Sequence, residues 1–168
     1  MLLMRKKLNY LFLVLVLLLC ALIFSLSADD GDQSSRKSSF VTALVLKVFV
    51  PNWNEMEEKE KEALIERYSY PIRKTAHFLE YALLGFLSCG YLLTSSFSLL
   101  ERNRMYNPLF AWTFSTLYAA SDEIHQMFVG SRGPSVADVV LDSSGAIVGV
   151  LAMVAVTFVI LRVKRRGE

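Results

Sequence analysis

Long apolar runs separated by short polar stretches set the pattern of this chain. The first, Leu8 to Leu26, follows Arg5, Lys6 and Lys7 and stops at the polar stretch Ser27 to Ser39. A second opens near Pro71, a residue suited to a first helical turn, and continues through His77, Tyr81 and Leu84 to about Leu93. A third starts at Asn107 and Pro108 and runs to about Val129. The fourth starts near Ser135, where Ser135 and Asp138 have capping-box spacing, and runs to Leu161 before Arg162, Lys164, Arg165 and Arg166. A helix crosses the hydrocarbon of a bilayer with about 20 apolar residues. The pattern therefore predicts an all-α fold, a small polytopic membrane helical bundle of four transmembrane helices. Residues 1–26 read as an N-terminal transmembrane anchor, 27–70 as an extracytoplasmic segment, 71–161 as a three-helix core and 162–168 as a basic cytoplasmic tail. A cleaved signal peptide competes for the first run, because Leu26, Ser27 and Ala28 precede Asp29 and Asp30, but the length of the apolar core favours an uncleaved anchor.

Within 27–70, Phe40 to Val50 is apolar but too short to span and is expected to lie in the outer interface, while Glu55 to Tyr68 reads as an amphipathic helix. Its charges, with pairs such as Glu57 and Lys61, make an ordinary solvated face.

Composition agrees with a membrane chain. Of 168 residues 54% are hydrophobic and 20% charged, with mean hydropathy +0.39, too oily for a water-soluble enzyme, a disordered tail or a collagenous repeat. The net charge of +2 gives no reason to expect a nucleic-acid partner; the lipid bilayer is the expected one. Charge is distributed unevenly. The two termini and the 98–106 loop hold nine basic residues and two acids, whereas the rest holds nine and fourteen. The positive-inside rule then puts both termini in the cytoplasm, in a multi-pass protein of the cell membrane. Cys20 and Cys89 fall about 15 Å apart in depth at about 1.5 Å per residue, too far to bridge.

Ionisable groups inside a bilayer cost several kcal/mol unless paired or hydrated, and here they cluster. Lys74, His77, Glu80 and Tyr81 recur at spacings of three and four on the second helix. Asp122, Glu123, His125 and Gln126 end the third, and Asp138 and Asp142 open the fourth. Arg132 lies in the turn between the last two. The topology brings all of them to the outer third of the membrane, which predicts one shared polar site. Pairs such as His77 with Glu80 and Asp122 with His125 could hold a divalent metal, though no recognised ligand spacing is matched. They could equally supply a general base while Lys74 and Arg132 grip phosphate or carboxylate. An interhelical network of ion pairs would use the same residues for packing alone. Gly145 and Gly149 share a stripe of the fourth helix with Asp142 and read as sites of close helix packing.

Arg73-Lys74-Thr75-Ala76-His77-Phe78-Leu79-Glu80-Tyr81-Ala82-Leu83-Leu84-Gly85, then Ser121-Asp122-Glu123-Ile124-His125-Gln126-Met127-Phe128-Val129, Arg132, and Asp138 with Leu141-Asp142-Ser143-Ser144-Gly145 together resemble the VanZ-like family of bacterial membrane proteins. The resemblance covers residues 70–150 and marks 71–161 as a VanZ-like core. It implies an envelope protein linked to tolerance of the glycopeptide teicoplanin, and no molecular activity. The sequence thus leads to an outward-facing site that binds or modifies an anionic envelope component, an anionic lipid or a lipid-linked cell-wall precursor. In a catalytic version His77, Glu80, Glu123 and His125 are the bases or ligands, with Lys74, Tyr81, Asp122, Gln126, Arg132, Asp138 and Asp142 binding. The alternatives are a metal-dependent or general-base membrane hydrolase and a proton-coupled transporter, the latter disfavoured by the apolar inner halves of the helices.

Overall fold

The structure, a computed structural model, describes residues 2–28, 31–95, 104–128 and 135–166. These form five helices: α1 (Leu2–Ser27), α2 (Gly31–Phe49), α3 (Glu58–Thr94), α4 (Asn107–Gln126) and α5 (Val136–Arg166), with short 3₁₀ turns at Trp53–Glu55 and Arg104–Tyr106. There is no strand among the described residues. The all-α expectation holds.

Among the described residues three helices are long and apolar enough to cross a membrane: α1, α3 and α5. The expected fourth crossing, α4, is not among them. It has the length, 20 residues, but Asn107, Ser115, Asp122, Glu123 and Gln126 are buried against neighbouring helices, and those interior polar groups pull its hydropathy down. The polarity of α4 is turned inward, whereas α1 and α5 show Leu17, Leu18, Leu22, Leu151, Val159 and Ile160 on the outside. An apolar exterior around a partly polar interior suits a lipid solvent.

The chain also differs from expectation at Pro71. The amphipathic helix and the second crossing are one continuous helix of 37 residues with Pro71 inside it, about 55 Å long at about 1.5 Å per residue. Proline removes a single helical N–H donor, the one that would reach the carbonyl of Arg67, and its fixed φ remains helical. The Thr75 hydroxyl donates to the Pro71 carbonyl at 2.9 Å, and cations bracket the position, Arg67 over the Tyr68 ring and Arg73 over the Tyr70 ring, each 5.8 Å from the centroid. Glu58 and Glu60 in the first turn suit the positive end of the helix dipole. Likewise α2 begins at Gly31, so much of the expected polar linker is helical and continuous with Phe40–Phe49. Asn52, with φ 59° in the turn before α3, is a residue type that tolerates the left-handed region.

Contacts fix the helix directions. Gly145 lies against the Phe78 carbonyl and Gly149 against the Ala82 carbonyl, so α3 and α5 run parallel. A Cβ at Gly149 would collide with the Ala82 oxygen, which is the close helix approach the glycine stripe predicts. α4 returns antiparallel beside them. Its Trp112 Nε1 donates to Ser143 Oγ at 2.9 Å, and Thr116 Oγ1 shares a 2.8 Å hydrogen bond with the same hydroxyl. α1 runs alongside α4, where Tyr118 Oη donates to the Cys20 carbonyl at 2.6 Å. Both cysteines are free.

The start of α1 meets the end of α3. Arg5 donates to the Thr94 and Ser95 carbonyls at 3.1 and 2.5 Å, Asn9 to the Tyr91 carbonyl at 2.8 Å, and Asn107 of α4 to the Leu92 carbonyl at 3.0 Å. These donors satisfy the carbonyls that a helix C-terminus leaves without intrahelical partners. α5 runs parallel to α3, so the start of α1 and the end of α5 share one end of the bundle and the polar residues of the motif on α3 and α5 lie toward the other.

Candidate functional site

Three helices build the site at the end away from the start of α1. On α3, Lys74 and His77 are one turn apart, with Glu80 and Tyr81 a turn further on. Lys74 Nζ stands 2.5 Å from Asp138 Oδ1 of α5, and the His77 Nδ1 to Glu80 Oε2 distance is 3.9 Å. Ser135 caps α5: its Oγ accepts from the Asp138 backbone N–H at 3.2 Å, as the capping spacing predicts. The backbone N–H of Ser135 in turn donates to Glu123 Oε2 of α4 at 2.8 Å, placing a carboxylate at the positive end of α5. Gln126 Nε2 donates to Asp122 Oδ2 at 3.3 Å within α4.

These groups enclose a cavity of about 170 Å³ lined by Arg73, Lys74 and His77 from α3, Glu123 and Gln126 from α4, and Asp138, Leu141 and Asp142 from α5. A second cavity of about 140 Å³ lies beside it, where Ser27 of α1 and Ser34, Lys37 and Ser38 of α2 face Glu80 of α3. Arg73, His77 and Gln126 line both. Those three side chains form the partition between two polar compartments.

Six of the residues singled out in the sequence thus share the first cavity: Lys74, His77, Glu123, Gln126, Asp138 and Asp142. Glu80 reaches the second. Tyr81 and Asp122 are buried without lining either, and the Tyr81 hydroxyl, in a residue 0% exposed, has no hydrogen-bond partner. His125 lines neither cavity; its ring packs on Phe24 of α1 with centroids 4.4 Å apart. Arg132 lies outside the described residues. No group of three or more His, Cys, Asp or Glu side chains among the described residues is placed to hold a metal ion.

Arg73 was not singled out from the sequence, yet it lines both cavities. It lies four residues before His77 and seven before Glu80, on the same face of α3, and that spacing was the available signal. Ser27 and Lys37 were hidden in what read as a polar linker.

The VanZ/LLP1 family model matches residues 12–160. The chain belongs to the VanZ/LLP1 family. The VanZ/LLP1 region takes in most of α1 and all of α2, beyond the 70–150 stretch that carries the motifs, and contains every residue of both cavities. Membership and the three apolar helices make this a membrane protein of VanZ type. No curated protein and no solved structure matches the chain.

Proposed function

We propose that this VanZ/LLP1 protein is a multi-pass protein of the cell membrane with both termini in the cytoplasm, and that its polar cavity faces outward and binds the headgroup of an anionic envelope component. An anionic lipid or a lipid-linked cell-wall precursor is the class of ligand, and tolerance to glycopeptides such as teicoplanin would follow from occupying or altering it. The single observation behind this reading is a cavity opening among three helices with Arg73, Lys74 and His77 on one wall. Arg and Lys are the usual donors to phosphate and carboxylate oxygens. Orientation rests on the basic residues at both chain ends, which lie together on the side opposite the cavity.

Farnesyl diphosphate, a soluble prenyl diphosphate, tests the reading by titration of the full chain in detergent. Native protein binds it and Arg73→Gln weakens binding at least about tenfold, the value of one lost charge-assisted hydrogen bond. Equal affinity of native and Arg73→Gln protein overturns the reading, as does an unchanged teicoplanin tolerance when the protein is removed from its cell.

The His77–Glu80 pair supports a second reading, general-base hydrolysis of the same headgroup, with His77 as base to an attacking water and Glu80 orienting it. Release of phosphate from the prenyl diphosphate by native protein, and its loss in His77→Ala, is the expected result. Binding without release excludes it.

A further inference from the structure

Charge partners in the first cavity are unequally shared. Asp138 is paired with Lys74, and Glu123 accepts a backbone N–H at the start of α5. Arg73 stands over the Tyr70 ring, which is exposed to the outside. Asp142 is left over. It lines the cavity one helical turn deeper than Asp138, it is 3% exposed, and its Oδ1 has no hydrogen-bond partner. Asp122, also buried, already receives the amide of Gln126. A buried carboxylate oxygen without a donor is costly, and the cavity of about 170 Å³ beside it has room for one.

We propose that the cavity takes a zwitterionic headgroup, an anion toward Arg73 and a primary ammonium that donates to Asp142. This inference rests on the headgroup reading: it keeps the anionic group at Arg73 and adds an ammonium at Asp142, so that phosphate alone, as in farnesyl diphosphate, engages only the anionic half. The compartment supplies what such a group needs: a cation at the Tyr70 side, and a carboxylate acceptor a turn below the Lys74–Asp138 pair. A headgroup with phosphate alone would leave Asp142 without a donor and bring negative charge toward it. A trimethylated ammonium has no N–H to donate. Two sources carry the required chemistry, an aminoalkyl phospholipid in the membrane and a free aminoalkyl phosphate in solution.

Isothermal titration of the full chain in detergent uses four probes: dihexanoyl phosphatidylethanolamine, dihexanoyl phosphatidylglycerol, dihexanoyl phosphatidylcholine and free phosphoethanolamine. The ethanolamine lipid binds about tenfold more tightly than the glycerol and choline lipids, as expected for a hydrogen bond between charged groups. In Asp142→Asn, a substitution of nearly the same shape, that preference falls to about onefold. In Arg73→Gln all probes weaken together and the preference stays. Equal binding of the three lipids by native protein overturns the zwitterion and leaves the headgroup reading standing, whereas binding of none of the four probes overturns the zwitterion, and the headgroup reading falls with it only when farnesyl diphosphate also fails to bind. A preference that survives Asp142→Asn also overturns it. Comparison of the lipid with free phosphoethanolamine identifies the source, and tighter binding of either one supports the shared chemistry. The native-protein series needs no variant to fold.

Discussion

The two ends of this bundle use polar residues in opposite ways. Where the starts of α1 and α4 meet the end of α3, Arg5, Asn9 and Asn107 all direct their donors to its backbone carbonyls. Their acceptors are fixed in place by the helix itself, and the polar side chains close it. At the other end Lys74, His77, Glu123, Asp138 and Asp142 face one another across a cavity, their partners come mostly from other side chains, and the Oδ1 of Asp142 is left without any. The first arrangement stabilises a helix terminus. The second holds charge around an opening, at some expense in stability, and polar groups in a membrane chain can thus be sorted by whether backbone or side chain receives them.

The largest effect would abolish both ends together. Gly149→Leu places carbon where the Ala82 carbonyl now sits and forces α3 and α5 apart. A loss of about 3 kcal/mol or more is expected, visible as aggregation on size exclusion and a collapsed thermal transition. Next, Lys74→Ala leaves Asp138 without its cation. The pair is 20% and 28% exposed, so the loss is expected nearer about 2 kcal/mol than the 3 to 5 kcal/mol of a fully buried pair. Farnesyl diphosphate binding falls with it. Asn107→Ala sharpens the contrast, since it should remove about 1 kcal/mol of stability in denaturant titration while binding is unchanged. If Asn107→Ala lowered binding as much as Lys74→Ala, the division between ends would be wrong. Smallest is Lys61→Ala, outside both ends, whose 2.7 Å contact with the exposed Glu58 is worth under about 0.5 kcal/mol.

Much of the site was legible because its signal is periodic. Spacings of three and four put Lys74 and His77 on one face, and the Ser135–Asp138 spacing marked the cap that starts α5. The crossing count was less legible, because an apolar run shows its length and not which neighbours its polar groups will find. Asn107 and Ser115 read as part of one apolar run, yet in α4 they are buried polar groups that help to keep it from being apolar enough to cross. Pro71 misled in the same way: its local preference for a helix start lost to the continuity of the turns on either side. Arg73 was legible by the same rule, four residues before His77 and seven before Glu80, whereas spacing within one helix does not say which neighbour a side chain meets, and His125, correctly placed in register, lies against Phe24 instead of in the cavity.

The unbroken length of α3 carries a mechanical implication. At about 55 Å, from about 1.5 Å per residue, it exceeds the roughly 30 Å hydrocarbon layer. Its Glu58 to Arg67 turns therefore act as a stiff handle on the same rod that bears Lys74 and His77, with Pro71 as the weakest joint along it. The turns that carry Glu58 to Arg67 and those that carry Lys74 and His77 are thus one unbroken element.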